Sequence, residues 1–173
     1  MYIELSVFAI LSAFLLFTFI SAGVIRFGLL LSYSSYSAKW GKAVPINNLN
    51  IWSVVTIVAA FLLCPPLLQL GVGSVWQFLG FLVPVYLIVV ALTPDWETSR
   101  TQRIVHSLFA LLCATGGILW LVLIVNAWKL LAGVLVFILT LALLTGTMKS
   151  SVVFWGEMVL FISVYLVVLL AIL

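Results

Sequence analysis

Glu157 stands inside the apolar run 151–172, about two helical turns and roughly 9 Å from its start if that run is a helix. A carboxylate at such a depth is expensive in hydrocarbon, so it either performs a task or is paired. The task would be to carry a proton or to hold a cation. Its neighbours three and four residues away are Phe154, Leu160 and Phe161, so it belongs to no polar stripe. The structural alternative is a pairing with Arg26, Lys149 or a hydroxyl that holds helices together.

His106 is the only histidine, and it opens another apolar run just after Arg100 and Arg103. Asp95 and Glu97 precede it in Thr93-Pro94-Asp95-Trp96-Glu97. A histidine beside a carboxylate can relay protons near neutral pH. In an enzyme His106 would be the general acid or base, Asp95 its orienter, and Ser35 or water the nucleophile. In a conduit, Glu157, His106 and Arg26 would mark the ion or proton path. The bland alternative is an interfacial histidine next to a solvated, charge-balanced turn. Zinc sites gather more nitrogen or sulfur ligands at fixed spacing, so no metal is expected. Cys64 and Cys113 sit in apolar segments without C-x-x-C spacing and read as packing residues. No G-x-S-x-G elbow, H-x-x-x-H pair or phosphate loop occurs, and no cofactor is expected.

The elements that must position these residues follow from composition. Of 173 residues, 66% are apolar and 6% charged, against about 25% charged in soluble domains. With a mean hydropathy of +1.44, the chain cannot cover a water-facing surface. It is read as a single membrane domain. A spanning helix takes about 20 apolar residues, and six runs qualify: 3–25, 51–70, 75–93, 104–125, 129–147 and 151–172. The first is read as a retained helix, because Glu4 precedes it and no basic segment does. Pro65 and Pro66 predict that the second run bends or ends early.

Basic residues set the orientation. Arg26, Lys39, Lys42, Arg100, Arg103 and Lys149 fall in the first, third and fifth connections, and only Lys129 falls in an even one. The positive-inside rule then places odd connections in the cytoplasm and both termini outside. Glu4 and Lys129, on the outer side, are free to pair. Trp52, Trp76, Trp96 and Trp128 lie near run ends, as interfacial aromatics do. The first connection is the longest. It starts with apolar Phe27 to Leu31, continues through Ser32-Tyr33-Ser34-Ser35-Tyr36-Ser37, and either lies in the interface or re-enters the membrane.

At an offset of 76 residues Asn50-Ile51-Trp52 aligns with Asn126-Ala127-Trp128, and Gly80 with Gly156. A true repeat of three spans per half would be inverted, a transporter feature. The expected fold is therefore an all-α transmembrane bundle of about six spans, N-out and C-out, with a candidate inverted 3+3 repeat. Asn126 reads as a helix cap. Gly116, Gly117 and Gly133 read as sites of close helix approach, within or between subunits.

The Ser32–Ser37 segment, and Pro94-Asp95 followed by His106, resemble a pattern in small six-span bacterial membrane proteins of Bacteroidetes type, and more distantly DRAM/Sfk-like proteins. The resemblance implies a six-span protein of the cytoplasmic membrane with a polar cluster on its cytoplasmic side, and no particular chemistry. The serine-rich segment departs from that pattern in having no acidic residue or proline within it.

Three functions compete. An ion, proton or solute channel or transporter is favoured by Glu157 and the candidate repeat. A non-catalytic membrane subunit, or an oligomeric scaffold or pore-former, is favoured by the scarcity of polar groups. A lipid-modifying enzyme would use His106, Asp95 and Ser35. Membrane lipid, further copies of the chain or a membrane complex are the expected partners; with no basic cluster, nucleic acid is not.

Overall fold

Backbone groups in hydrocarbon find no water, so apolar runs of this length must satisfy their hydrogen bonds internally, and all six fold as helices. The computed structural model describes residues 2–43, 45–46, 49–93, 96–97, 99–144, 146–147 and 151–172; Asp95 and Lys149 lie outside them. The order is α1 (Tyr2–Phe27), α2 (Ser35–Ala43), β1 (Pro45–Ile46), β2 (Leu49–Asn50), α3 (Ile51–Leu70), α4 (Leu79–Ala91), α5 (Arg100–Leu123), α6 (Trp128–Leu144) and α7 (Val152–Ile172). The two short strands pair antiparallel, with Pro45 opposite Asn50. Four helices, α1, α3, α5 and α7, are long and apolar enough to cross a membrane; α4 and α6 are shorter. The chain is a helical membrane protein.

Helix α3 packs between α1 and α4, and α4 packs in turn on α5. Helix α7 touches α1, α3 and α5, while α6 rests mainly on α7 and buries only Ile138 and Ala142. Close approach is set by glycine. A Cβ on Gly80 would stand 2.8 Å from the Leu67 carbonyl oxygen, so α3 and α4 meet backbone to backbone. Gly116 faces Val83 of α4 and Gly117 faces Leu160 of α7, as expected of packing glycines. At Gly133 nothing among the described residues of the chain approaches within 4 Å.

Several local expectations are corrected. Helix α3 does not end at Pro65-Pro66 but runs to Leu70. Pro66 and Leu67 are buried there, and neighbouring helices hold a backbone that proline alone would weaken. Its last carbonyls are met by side chains, Leu68 by Gln77 Nε2 (3.2 Å) and Leu67 by Trp120 Nε1 (3.3 Å). Helix α4 starts later than its apolar run, because residues 74–80 form tight turns, Gln77 N–H to Ser74 at 3.1 Å and Leu79 N–H to Trp76 at 2.9 Å. Asn126 caps no helix start. It adopts φ 51°, a conformation asparagine tolerates, and lets Ala127 N–H reach back to the Leu121 carbonyl, 2.8 Å, closing α5. Its counterpart Asn50 is a true N-cap, accepting from Ser53 N–H at 2.9 Å. The aligned glycines diverge too, since Gly80 is in backbone contact and Gly156 meets nothing within 4 Å.

The serine-tyrosine segment turns through the core and enters α2. Ser32 to Ser37 are all buried. Tyr36 lies against Gly23 of α1, where a Cβ would come within 2.9 Å of its ring, and its hydroxyl donates to the Gly28 carbonyl at 2.8 Å. Trp52, at the start of α3, also belongs to the core. It is fully buried and packs on Tyr33, with ring centroids 5.4 Å apart.

Candidate functional site

The first connection, the α4–α5 connection and the start of α7 meet at one end of the bundle. Trp96 Nε1 donates to the Ser34 carbonyl (3.4 Å), and Phe154 N–H donates to the Leu31 carbonyl (2.8 Å). The latter bond satisfies one of the free N–H groups that every helix start exposes.

Glu157 sits just beyond, half-buried on α7. Its Oε2 accepts the Tyr33 backbone N–H at 2.5 Å, so residues 31–33 and the first turns of α7 are joined by a donor in one direction and an acceptor in the other. That is its only hydrogen bond among the described residues. The expected pairing with Arg26 does not form: its guanidinium lies over the rings of Trp40 (5.1 Å) and Phe27 (5.4 Å), where a cation is held by aromatic faces instead. A pairing with Lys149 lies outside the described residues. Glu4 and Lys129 form no described ion pair, and Lys129 Nζ lies 5.5 Å from the Trp128 ring centroid.

Glu157 lines a cleft of about 430 Å³ between α5 and α7. Its lining comes from Leu87 and Val90 of α4, Ala110, Cys113 and Ala114 of α5, Leu160 and Phe161 of α7, and Tyr33 and Ser34 of the first connection. The lining also includes the exposed Leu111, Ile118 and Val153, so the cleft opens sideways between helices. Among the described residues Glu157 is the only lining residue with a formal charge. The sequence identified Glu157 but not the cleft. Cys113, expected to be mere packing, is buried with its thiol 3.6 Å from the Val83 carbonyl and also lines the cleft.

Two hydroxyl chains brace the bundle behind the cleft. Thr56 Oγ1 donates to the Trp52 carbonyl (2.7 Å), and a hydroxyl has one proton, so the 2.7 Å contact with Tyr33 is made by the Tyr33 hydroxyl donating. Likewise Ser12 donates to the Ala59 carbonyl and accepts from Tyr165, both at 2.6 Å. Both chains end on backbone carbonyls, which cannot pass a proton on. Burial pushes the Tyr33 phenol up from its ordinary range, which keeps it a neutral donor. Sequence reading missed Ser12, Thr56 and Tyr165 because isolated hydroxyls in apolar runs show no spacing.

His106 is 4% exposed, closed in beside the turn that precedes α5. Its ring stacks on Trp96 (4.9 Å, 15°), and Nδ1 lies 2.9 Å from Thr93 Oγ1. Thr93 has the shorter contact, 2.7 Å, with the Val90 carbonyl, which takes its proton and leaves Nδ1–H to donate. Arg103 ties down the same turn through the carbonyls of Glu97 (2.7 Å) and Trp96 (3.3 Å). Asp95, the expected orienter, lies outside the described residues. Ser35 Oγ bonds Ser32 Oγ at 3.0 Å and does not bond His106. Among the described residues no three His, Cys, Asp or Glu side chains gather.

No protein family, characterised protein or solved structure matches this chain.

Proposed function

We propose that this chain is a six-span carrier for a small solute, with both termini outside the cytoplasm and its binding site in the α5–α7 cleft. One observation carries the reading: a carboxylate lines a ligand-sized cleft between membrane helices and spends one oxygen on a backbone N–H. Small-molecule sites run from about 300 to 1,000 Å³, with apolar walls and few polar groups. A latch to Tyr33 needs only a neutral acceptor, and glutamine would supply one without the cost of charge in hydrocarbon. A carboxylate is explained by something that requires its charge. The hydroxyl chains favour a solute over a proton wire, because both stop at carbonyls. The six-of-seven bias of basic residues supports the orientation.

The test is uptake into liposomes containing the purified protein, with a pH dye and a panel of monovalent ions and small solutes, wild type beside Glu157→Gln. We expect solute flux that the variant reduces about tenfold or more, the worth of a hydrogen bond to a charged group. Equal flux in both would remove Glu157 from the path. A second reading, a membrane subunit, is favoured by α6, which buries only Ile138 and Ala142 and whose Gly133 meets nothing within 4 Å among the described residues. It predicts a stable complex on purification in mild detergent, and a lone monomer would exclude it.

A further inference from the structure

The cleft has two chemically distinct parts. Its mouth, at Leu111, Ile118 and Val153, is apolar and exposed, with Leu111 65% accessible on a helix long and apolar enough to lie in lipid. An occupant arriving there dissolves in the bilayer first. The lining also holds Glu157, near Tyr33 and Phe161, whose rings pack edge to face at 5.7 Å. A single carboxylate in an otherwise apolar cleft is the chemistry that holds an ammonium, through a charge-assisted hydrogen bond.

We propose that the cleft binds a lipophilic amine, a small molecule with an apolar body and a protonated amino head, the head at Glu157 and the body toward Leu111 and Ile118. This rests on the carrier reading and names its substrate class. A cation neutralises the carboxylate and removes its uncompensated charge from a low-dielectric site. A lipophilic acid would add a second negative charge. A zwitterionic phospholipid would bring a phosphate, and the described lining offers no lysine or arginine to receive it. A plain acyl chain would fill the walls and leave Glu157 unanswered. The geometry therefore favours a free amine over a bilayer lipid.

The experiment is equilibrium dialysis of a matched set, 4-phenylbutylamine, 4-phenylbutanol and 4-phenylbutyrate, against the protein in nanodiscs of neutral lipid, with partition into empty nanodiscs subtracted. The amine is fully protonated at neutral pH, as lysine is. We expect it to bind about tenfold tighter than the alcohol, with the acid weakest. Glu157→Gln should bring the amine to within about twofold of the alcohol. Ala114→Phe fills the cleft from α5 without touching the carboxylate, and should reduce binding of both amine and alcohol. Equal binding of amine and alcohol by the wild type would assign the cleft to acyl chains and overturn the proposal. So would an amine preference that survives in Glu157→Gln, or amine binding that is unchanged in folded Ala114→Phe. Should Glu157→Gln fail to assemble, Ala114→Phe decides alone. Amine preference without flux would sink the carrier reading and leave the substrate class standing; flux of other solutes without amine preference would do the reverse.

Discussion

Glu157 and His106 both lie within the first two turns of a membrane helix at the same end of the bundle, yet the fold treats them in opposite ways. His106 is closed in. Trp96 covers its face, Thr93 takes Nδ1, and Thr93 is itself anchored to α4 through Val90. Glu157 is held at one oxygen by Tyr33 N–H and otherwise faces a cleft. A satisfied, stacked histidine stabilises the α4–α5 connection. A half-satisfied carboxylate next to open volume is poised to bind. The residue type suggested a role for each; the number of partners separates them.

The sharpest way to break this comparison is to exchange the consequences. Glu157→Gln keeps an acceptor for Tyr33 N–H, so its melting temperature in detergent should move little while solute flux falls about tenfold or more. A variant that loses stability and keeps flux would make Glu157 the structural member of the pair. His106→Ala should do the converse. It removes a stacked ring and a buried hydrogen bond, costing about 2–4 kcal/mol in thermal unfolding, with flux per folded molecule within about twofold of wild type. Loss of flux at unchanged stability would return His106 to the pathway.

Thr93→Val tests whether histidine and threonine act as one unit. It leaves the Nδ1–H of His106 unpaired and should cost about 1–2 kcal/mol. Combined with His106→Ala, its cost should largely disappear, since residues sharing one interaction are not additive. Additive costs in that double-mutant cycle would mean that the two side chains are held independently. The smallest expected effect is at Gly117→Ala. A Cβ there comes within 2.9 Å of Leu160 Cδ1, the end of a flexible side chain that lines the cleft. We expect Leu160 to shift, stability to change by no more than about 1 kcal/mol, and amine binding to weaken a few-fold in dialysis. Unchanged binding would place the ligand away from that wall.

Much of the fold was legible in the sequence because hydrocarbon imposes one simple demand. Runs near 20 apolar residues had to become helices, and the six runs did so with ends displaced by a few residues. Gly116 and Gly117 announced close contacts that exist. Glu157 was recognisable because charge in an apolar run is expensive wherever the helix lies. The errors fell where partners decide. Pro65-Pro66 reads as a bend or an early end, and of these the early end does not occur, because α1 and α4 flank α3 to Leu70. Trp52 stands at a helix end as read, but its burial shows only once Tyr33 is packed over it. Asn50 and Asn126 look equivalent in sequence, and one caps a helix start while the other closes a helix end.

By itself the sequence determined that this chain is helical and membrane-embedded, where its apolar runs lie, and that Glu157 and His106 are its costly residues. Those properties depend on local composition and on the solvent, and need no knowledge of neighbours. Only the tertiary structure decided that Ser32–Ser37 is buried, that Tyr33 N–H meets Glu157, that Arg26 does not, and that α5 and α7 part to leave a cleft. These are lateral relations between helices. Apolar faces in lipid resemble one another too closely for a single sequence to say which will meet, because side chains pack by shape there, and shape is defined only once the partner is present.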